Sequence, residues 1–249
     1  MSGVEEPNKL IGALGLGEDA WSTVRLDDAP LASAYEELVR VPRERGPLSP
    51  EVCELIGLAA SCACSGIDRD AIRAHARAAL ELGATAEQLR EVVQIVSTMG
   101  IHSVTMGTPL VMDELTAAGL EPPDATTAEV TAVRDDFIAR RGYWTPLFEA
   151  IASFDHQFLR AYMEYSSIPA EQGTLSPKVR ELVFIAVNSI TTHLFPDGLR
   201  VHVKNALSQG VTPNEIVAVF ELVSSIGFRS ALAALPIIAD EVAIVEAGR

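Results

Sequence analysis

The sequence predicts an all-α protein built from one helical unit written twice. Three observations carry that prediction. Residues 46–118 align without a gap on residues 173–245, an offset of 127, and about a third of the aligned positions are identical. Apolar residues recur at three- and four-residue spacing, as in Val179, Leu182, Val183, Ala186, Val187 and Ile190, and no stretch alternates as a strand would. The composition is 48% hydrophobic but only 6% aromatic, which suits helices packed closely through Ala, Val, Leu and Ile. A repeat of this length is domain-sized, unlike solenoid elements with periods of about 20–50 residues. The 249 residues therefore divide into a first repeat over 1–120 and a second over 128–249.

The elements follow in order. Helices near 29–41 and 156–167 correspond weakly through Ala34-Tyr35 and Ala161-Tyr162, and through Pro42 and Pro169. Ser49-Pro50 and Ser176-Pro177 each place an N-cap before a proline whose missing N–H costs nothing at the first helical position. Helices are expected to follow, near 50–65 and 177–192. The next pair, near 69–82 and 196–209, ends at Gly83 and Gly210, which suit the left-handed position after a helix. Thr85 with Gln88, and Thr212 with Glu215, then form capping boxes that open helices near 86–98 and 213–225. Gly100 and Gly227 are expected to break the chain before a last helix in each copy. Between the copies, Pro122-Pro123 marks an extended linker. A helix over 128–141 and a turn at Tyr143-Trp144-Thr-Pro146 lead into the second copy.

The net charge is −15 and no basic cluster occurs. Replacing phosphate counterions requires Lys or Arg, so nucleic acid is not an expected partner, and an anionic membrane surface is not expected for the same reason. The first residues lack the basic and apolar regions of a secretory signal. No uninterrupted apolar stretch approaches the roughly 20 residues that span a bilayer. A cytoplasmic location is the expectation. The three cysteines, Cys53, Cys62 and Cys64, all lie in the first copy, opposite Arg180, Ser189 and Thr191. An odd count does not suit a disulfide framework, and buried spectator thiols are the plain reading.

The polar residues kept in both copies include one Glu and one His. Glu54 and His75 lie 21 residues apart, and so do Glu181 and His202. Each Glu stands about one turn into a helix and each His midway along the next, and helices joined by a short loop pack antiparallel. A carboxylate beside an imidazole is a plausible general acid–base unit. It is equally a buried tie between two helices, and retention in both copies does not separate these readings. Arg73 and Arg200 are also retained, but they point elsewhere on the helix, onto a solvated or ion-paired face. His193 stands where copy one has Gly66, and Arg229 where copy one has His102. His102 and Arg229 open the last helices, where an anionic substrate group is a candidate ligand; a surface salt bridge explains Arg229 as well. Metal binding has little support, since a Glu–His pair supplies two ligands where catalytic zinc takes three. Nucleotide-binding loops and a Gly-x-Ser-x-Gly elbow are absent.

Glu181-Leu-Val-Phe-Ile-Ala-Val, with His202-Val-Lys-Asn-Ala206-Leu-Ser-Gln-Gly210 and a last helix carrying Pro236-x-x-x-Asp240-Glu241, resembles the carboxymuconolactone decarboxylase and alkyl hydroperoxidase D-like family. The resemblance covers both copies, roughly 30–118 and 157–245. It implies an all-α fold that assembles as trimers or hexamers of single-copy chains, so a two-copy chain is expected to form a homotrimer. The peroxidase branch of the family carries Cys-x-x-Cys-x-x-x-His. Here Asp68 and Ala71 precede His75 at the sulfur positions, Phe195 and Gly198 precede His202, and Cys62-Ala-Cys64 is off register. The decarboxylase-like branch uses no cofactor and acts on a lactone carboxylic acid. The resemblance therefore implies a lyase for a small carboxylate or lactone, with Glu54, His75, Glu181 and His202 catalytic; His102, His193 and Arg229 are candidates to bind substrate on their positions alone. The alternatives are a peroxidase-like relative using its non-motif thiols, or a non-catalytic helical module that binds a small ligand.

Overall fold

A computed structural model describes residues 18–248 of the chain. They fall into two units, one formed by residues up to 96 with residues from 174 onward, the other by residues 97–173. This division cuts across the repeat, because the first unit takes helices from both copies. No strand occurs among the described residues, which are helical nearly throughout.

In the first unit, α1 spans Glu18–Asp27 and α2 spans Ala29–Glu44, followed by α3 (Pro50–Ser61), α4 (Arg69–Glu81) and α5 (Ala86–Ser97). The second copy supplies the counterparts of α3–α5, which we label α9 (Pro177–Ser189), α10 (Pro196–Ser208) and α11 (Pro213–Ser224), and then α12 (Arg229–Ala247). The helix α1 was not anticipated. It joins Trp21 to Tyr35 of α2 and Phe228, with the Tyr35 and Phe228 rings stacked at 3.8 Å.

The caps read from the sequence are present. Ser49 and Ser176 side chains accept from the N–H groups of Val52 and Val179. The Thr85–Gln88 and Thr212–Glu215 boxes close in both directions. Gly83 and Gly210 take φ of 104° and 78°, where an L side chain is strained. The helix α2 runs through Pro42 to Glu44 rather than stopping near 41. Pro42 lies in the last turn, so it forfeits a single ladder bond, and the Arg45 N–H closes the turn on the Val41 carbonyl.

Two helices are shorter than expected, and the reason places the site. The helix α3 ends at Ser61 because the Asp68 N–H folds back onto the Ser61 carbonyl (3.0 Å), and α9 ends at Ser189 with Phe195 bonded to the Asn188 carbonyl (3.1 Å). Each staple makes an antiparallel pair, α3 against α4 and α9 against α10. The helices α3 and α9 also pack on one another. They are apolar on nearly every side and correspondingly buried, with Leu55, Ile56, Leu58, Val183, Ile185 and Ala186 at most 2% exposed.

The second unit holds a 3-10 turn (Thr98–Ile101), α6 (His102–Ala118), α7 (Ala128–Arg141) and α8 (Pro146–Gln172). Thr145-Pro146 proves to be a cap of the Ser-Pro kind, opening α8 ten residues earlier than read. The backbone leaves helical geometry at Asp155, whose side chain caps the continuation by accepting from the Phe158 N–H (2.9 Å). Phe137 of α7 meets Trp144 and Phe148, and Val130, Val133, Leu159 and Met163 complete the core.

Gly100 and Gly227 do not break the chain; each sits in a 3-10 turn that runs straight into the last helix. Counted through these turns, Ala86–Ala118 and Pro213–Ala247 are two helical runs of 33 and 35 residues, long and apolar enough by length and composition to cross a bilayer.

Candidate active site

The staples set the height of the key side chains. Glu54 precedes Ser61 by seven residues and His75 follows Asp68 by seven; Glu181, Asn188, Phe195 and His202 repeat the arrangement. On antiparallel helices of about 3.6 residues per turn, the Glu and the His of each copy come level, two turns from the staple.

In copy one the His75 Nδ1 lies 2.7 Å from Glu54 Oε2, and the two side chains are only 6% and 8% exposed. Arg43 of α2 donates to the other carboxylate oxygen at 3.3 Å. The imidazole lies against Gly57, one turn beyond Glu54. A Cβ there would stand 2.5 Å from His75 Cε1 and 2.6 Å from Nδ1, so the ring occupies the space of the missing side chain.

In copy two the His202 Nδ1 lies 2.8 Å from Glu181 Oε2, with 19% and 17% of the side chains exposed. The position equivalent to Gly57 is Phe184, whose ring stacks on the His202 imidazole at 4.2 Å and 5°. Glu181 takes its further contact from the Asn205 amide at 3.4 Å, a neutral donor in place of Arg43. Bonding Nδ1 to a carboxylate fixes the ring and leaves Nε2 to meet a ligand. Among the described residues neither Nε2 makes a hydrogen bond.

The remaining sequence candidates are placed differently. Arg229 reaches back to copy one. It donates to the Ser61 hydroxyl (3.0 Å) and the Gly66 carbonyl (3.2 Å), and lies 3.2 Å from the Asp68 carboxylate. Ser61 in turn donates to the Gly57 carbonyl (2.8 Å) beneath His75. The Arg229 N–H is already spent on carbonyls of the preceding 3-10 turn, so the start of α12 offers no free amide there. His193 follows α9 and is half-buried. His102 opens α6 in the second unit and is 8% exposed. Arg73 pairs with Asp70 on the surface. Among the described residues no three His, Cys, Asp or Glu side chains group as metal ligands.

Burial disfavours the thiolate of two of the three cysteines. Burial pushes Cys53 up to about 11, with the Arg43 charge opposing, and burial also raises Cys62; Cys64 is exposed. A thiol raised this far stays neutral at pH 8, where only thiolate reacts. An aromatic disulfide reagent at pH 8 is therefore expected to modify Cys64 promptly and Cys53 only after denaturation. Rapid modification of Cys53 in the folded chain would contradict this.

Sequence reading missed Arg43, Gly57 and Phe184. The Gly57–Phe184 exchange was visible as a small-for-large swap one turn after the retained Glu. Arg43 stands opposite Ala170, so the repeat gave no signal for it.

The fold and the paired sites define a duplicated all-α protein with one Glu–His pair per copy. The sequence matches the carboxymuconolactone decarboxylase family over residues 29–107 and 156–240, and the chain belongs to that family. It is also similar to a solved protein from Burkholderia xenovorans LB400, assigned provisionally as a gamma-carboxymuconolactone decarboxylase subunit. The identity is 31%, 96% of each chain is covered and the TM-score is 0.87. A search of curated proteins gives no match.

Proposed function

We propose that the protein is a cofactor-independent lyase that decarboxylates a small lactone carboxylic acid, with a Glu–His pair moving the proton. The observation that carries the reading is the carboxylate–imidazole bond at His202, which remains partly open to solvent. Loss of carbon dioxide leaves the bonding electrons on carbon as an enolate-like charge. An imidazolium Nε2–H returns a proton to that carbon, and Glu181 holds the ring in place and balances its charge. The name of the Burkholderia relative makes gamma-carboxymuconolactone the first substrate to try.

Carbon dioxide release from this lactone tests the reading. His202→Gln is expected to lower kcat about 100- to 10,000-fold, the usual worth of a general acid–base group, with folding retained by circular dichroism. Absence of turnover by the wild-type chain, with variants altering only stability, would instead favour a ligand-binding module.

We further propose a homotrimer. The last helix of each copy turns apolar side chains to solvent: Met106, Leu110 and Val111 of α6, and Ile237, Ile238 and Val242 of α12, are all at least 47% exposed. A second copy with the same apolar faces is the occupant they fit. Light scattering on the eluting protein should give three times the 26.6 kDa chain mass; a monomer would refute the assembly.

A further inference from the structure

We infer that duplication has divided the work of the two pairs: His202 of copy two is the imidazole that meets a ligand, and His75 of copy one is a closed structural tie. The inference rests on the reading above for its catalytic part only. Four differences support it, and each acts in the same direction. The copy-one pair is sealed, whereas the copy-two pair keeps about a fifth of each side chain in contact with solvent. Glu54 spends its second oxygen on Arg43, forming a line of three charged or chargeable groups that are all at most 12% exposed. Groups of that kind hold helices in register when fully paired, and breaking one leaves a buried charge. Among the described residues Glu181 meets no such cation; a weakly bonded amide at 3.4 Å leaves that oxygen nearer to free.

The third difference is at positions 57 and 184. Gly57 lets the His75 ring sink onto the α3 backbone, close enough that no other residue fits beneath it. Phe184 puts an aromatic ring at that position in copy two, and the His202 imidazole stacks parallel on it with centroids 4.2 Å apart. The imidazole is thus held by the Phe184 ring and the Glu181 carboxylate while 19% of its side chain stays exposed. The fourth is Arg229, which braces Ser61 and Asp68, the two ends of the copy-one staple, and so locks α3 against α4. At the equivalent positions copy two has Asn188 and Phe195, an amide and an apolar ring.

Diethyl pyrocarbonate, which acylates the free nitrogen of accessible imidazoles, is the probe. The native full-length chain is treated at neutral pH and each histidine is followed by peptide mass spectrometry. His202 is expected to react at least tenfold faster than His75, with the two rates converging in denaturant. Equal rates in the native chain, or a faster His75, overturn the inference. This arm requires no substrate and no variant, so it decides the inference even if the lactone is not turned over, an outcome that would sink only the proposed reaction. If the lactone is turned over, acylation of His202 alone should abolish turnover and hydroxylamine should restore it. Retention of more than half of kcat by His202→Gln would assign the reaction to the other copy and overturn the inference.

Discussion

Glu91→Ala is expected to destabilise the protein by about 3–5 kcal/mol, the range for removing one partner of a buried ion pair. Glu91 is 1% exposed, and its carboxylate accepts from the Thr174 N–H (2.6 Å), the Leu175 N–H (2.7 Å) and Arg180 Nε (2.7 Å). Those amides belong to the turn that starts α9, so one side chain from copy one anchors the first helix of copy two. Removing it leaves two N–H groups without their acceptor and strands the Arg180 guanidinium at 16% exposure. The double variant Glu91→Ala with Arg180→Cys should lose markedly less than the sum of the two single changes, because the stranded charge is gone. Ala218 and Cys53 are the residues the repeat places at these two positions, so the equivalent places of the other copy already carry small apolar side chains. Urea unfolding midpoints, compared at constant slope, measure all three proteins. A loss below about 1 kcal/mol for Glu91→Ala would refute the anchor.

Legibility followed the physics of each signal. Caps and turns are local, so Ser49, Ser176, Gly83, Gly210 and the two Thr boxes could be read directly. The repeat converted one weak Glu–His pattern into two, and the short connections made their meeting geometrically reasonable. What could not be read depends on contacts between distant segments. Arg43 reaches Glu54 from a different helix, Glu91 reaches residues 83 and more positions away, and Arg229 crosses from one copy to the other. None of these has a repeat counterpart of the same kind, so a comparison of the copies passes over them. The stopping points of α3 and α9 were misjudged for a related reason. Helical periodicity continues past Ser61 and Ser189, and only the backbone staples to Asp68 and Phe195 end the helices.

Gly57→Ala should reverse the usual sign of a helix substitution. A glycine inside a helix ordinarily costs about 1 kcal/mol relative to alanine, so the change stabilises most exposed positions. Here the new Cβ would enter at 2.5–2.8 Å from three atoms of the His75 ring. The ring has nowhere to go without weakening its 2.7 Å bond to Glu54, and Glu54 is held from the other side by Arg43. Overpacking of this kind costs about 1–3 kcal/mol, and the loss should exceed the gain in propensity. Gly57→Phe installs the residue that copy two carries and is the more severe test. In copy two Phe184 is accommodated with its ring stacked parallel to the His202 imidazole at 4.2 Å. In copy one a phenyl ring at residue 57 must push His75 off Glu54 or open α4 from α3, against the Arg229 brace. The expected loss is therefore about 3–5 kcal/mol, comparable to breaking the buried pair outright. Calorimetric melting of both variants beside the wild type checks the order. If Gly57→Phe melts with the wild type, the ring is not seated as described and the distinction between a sealed pair and an open one fails with it.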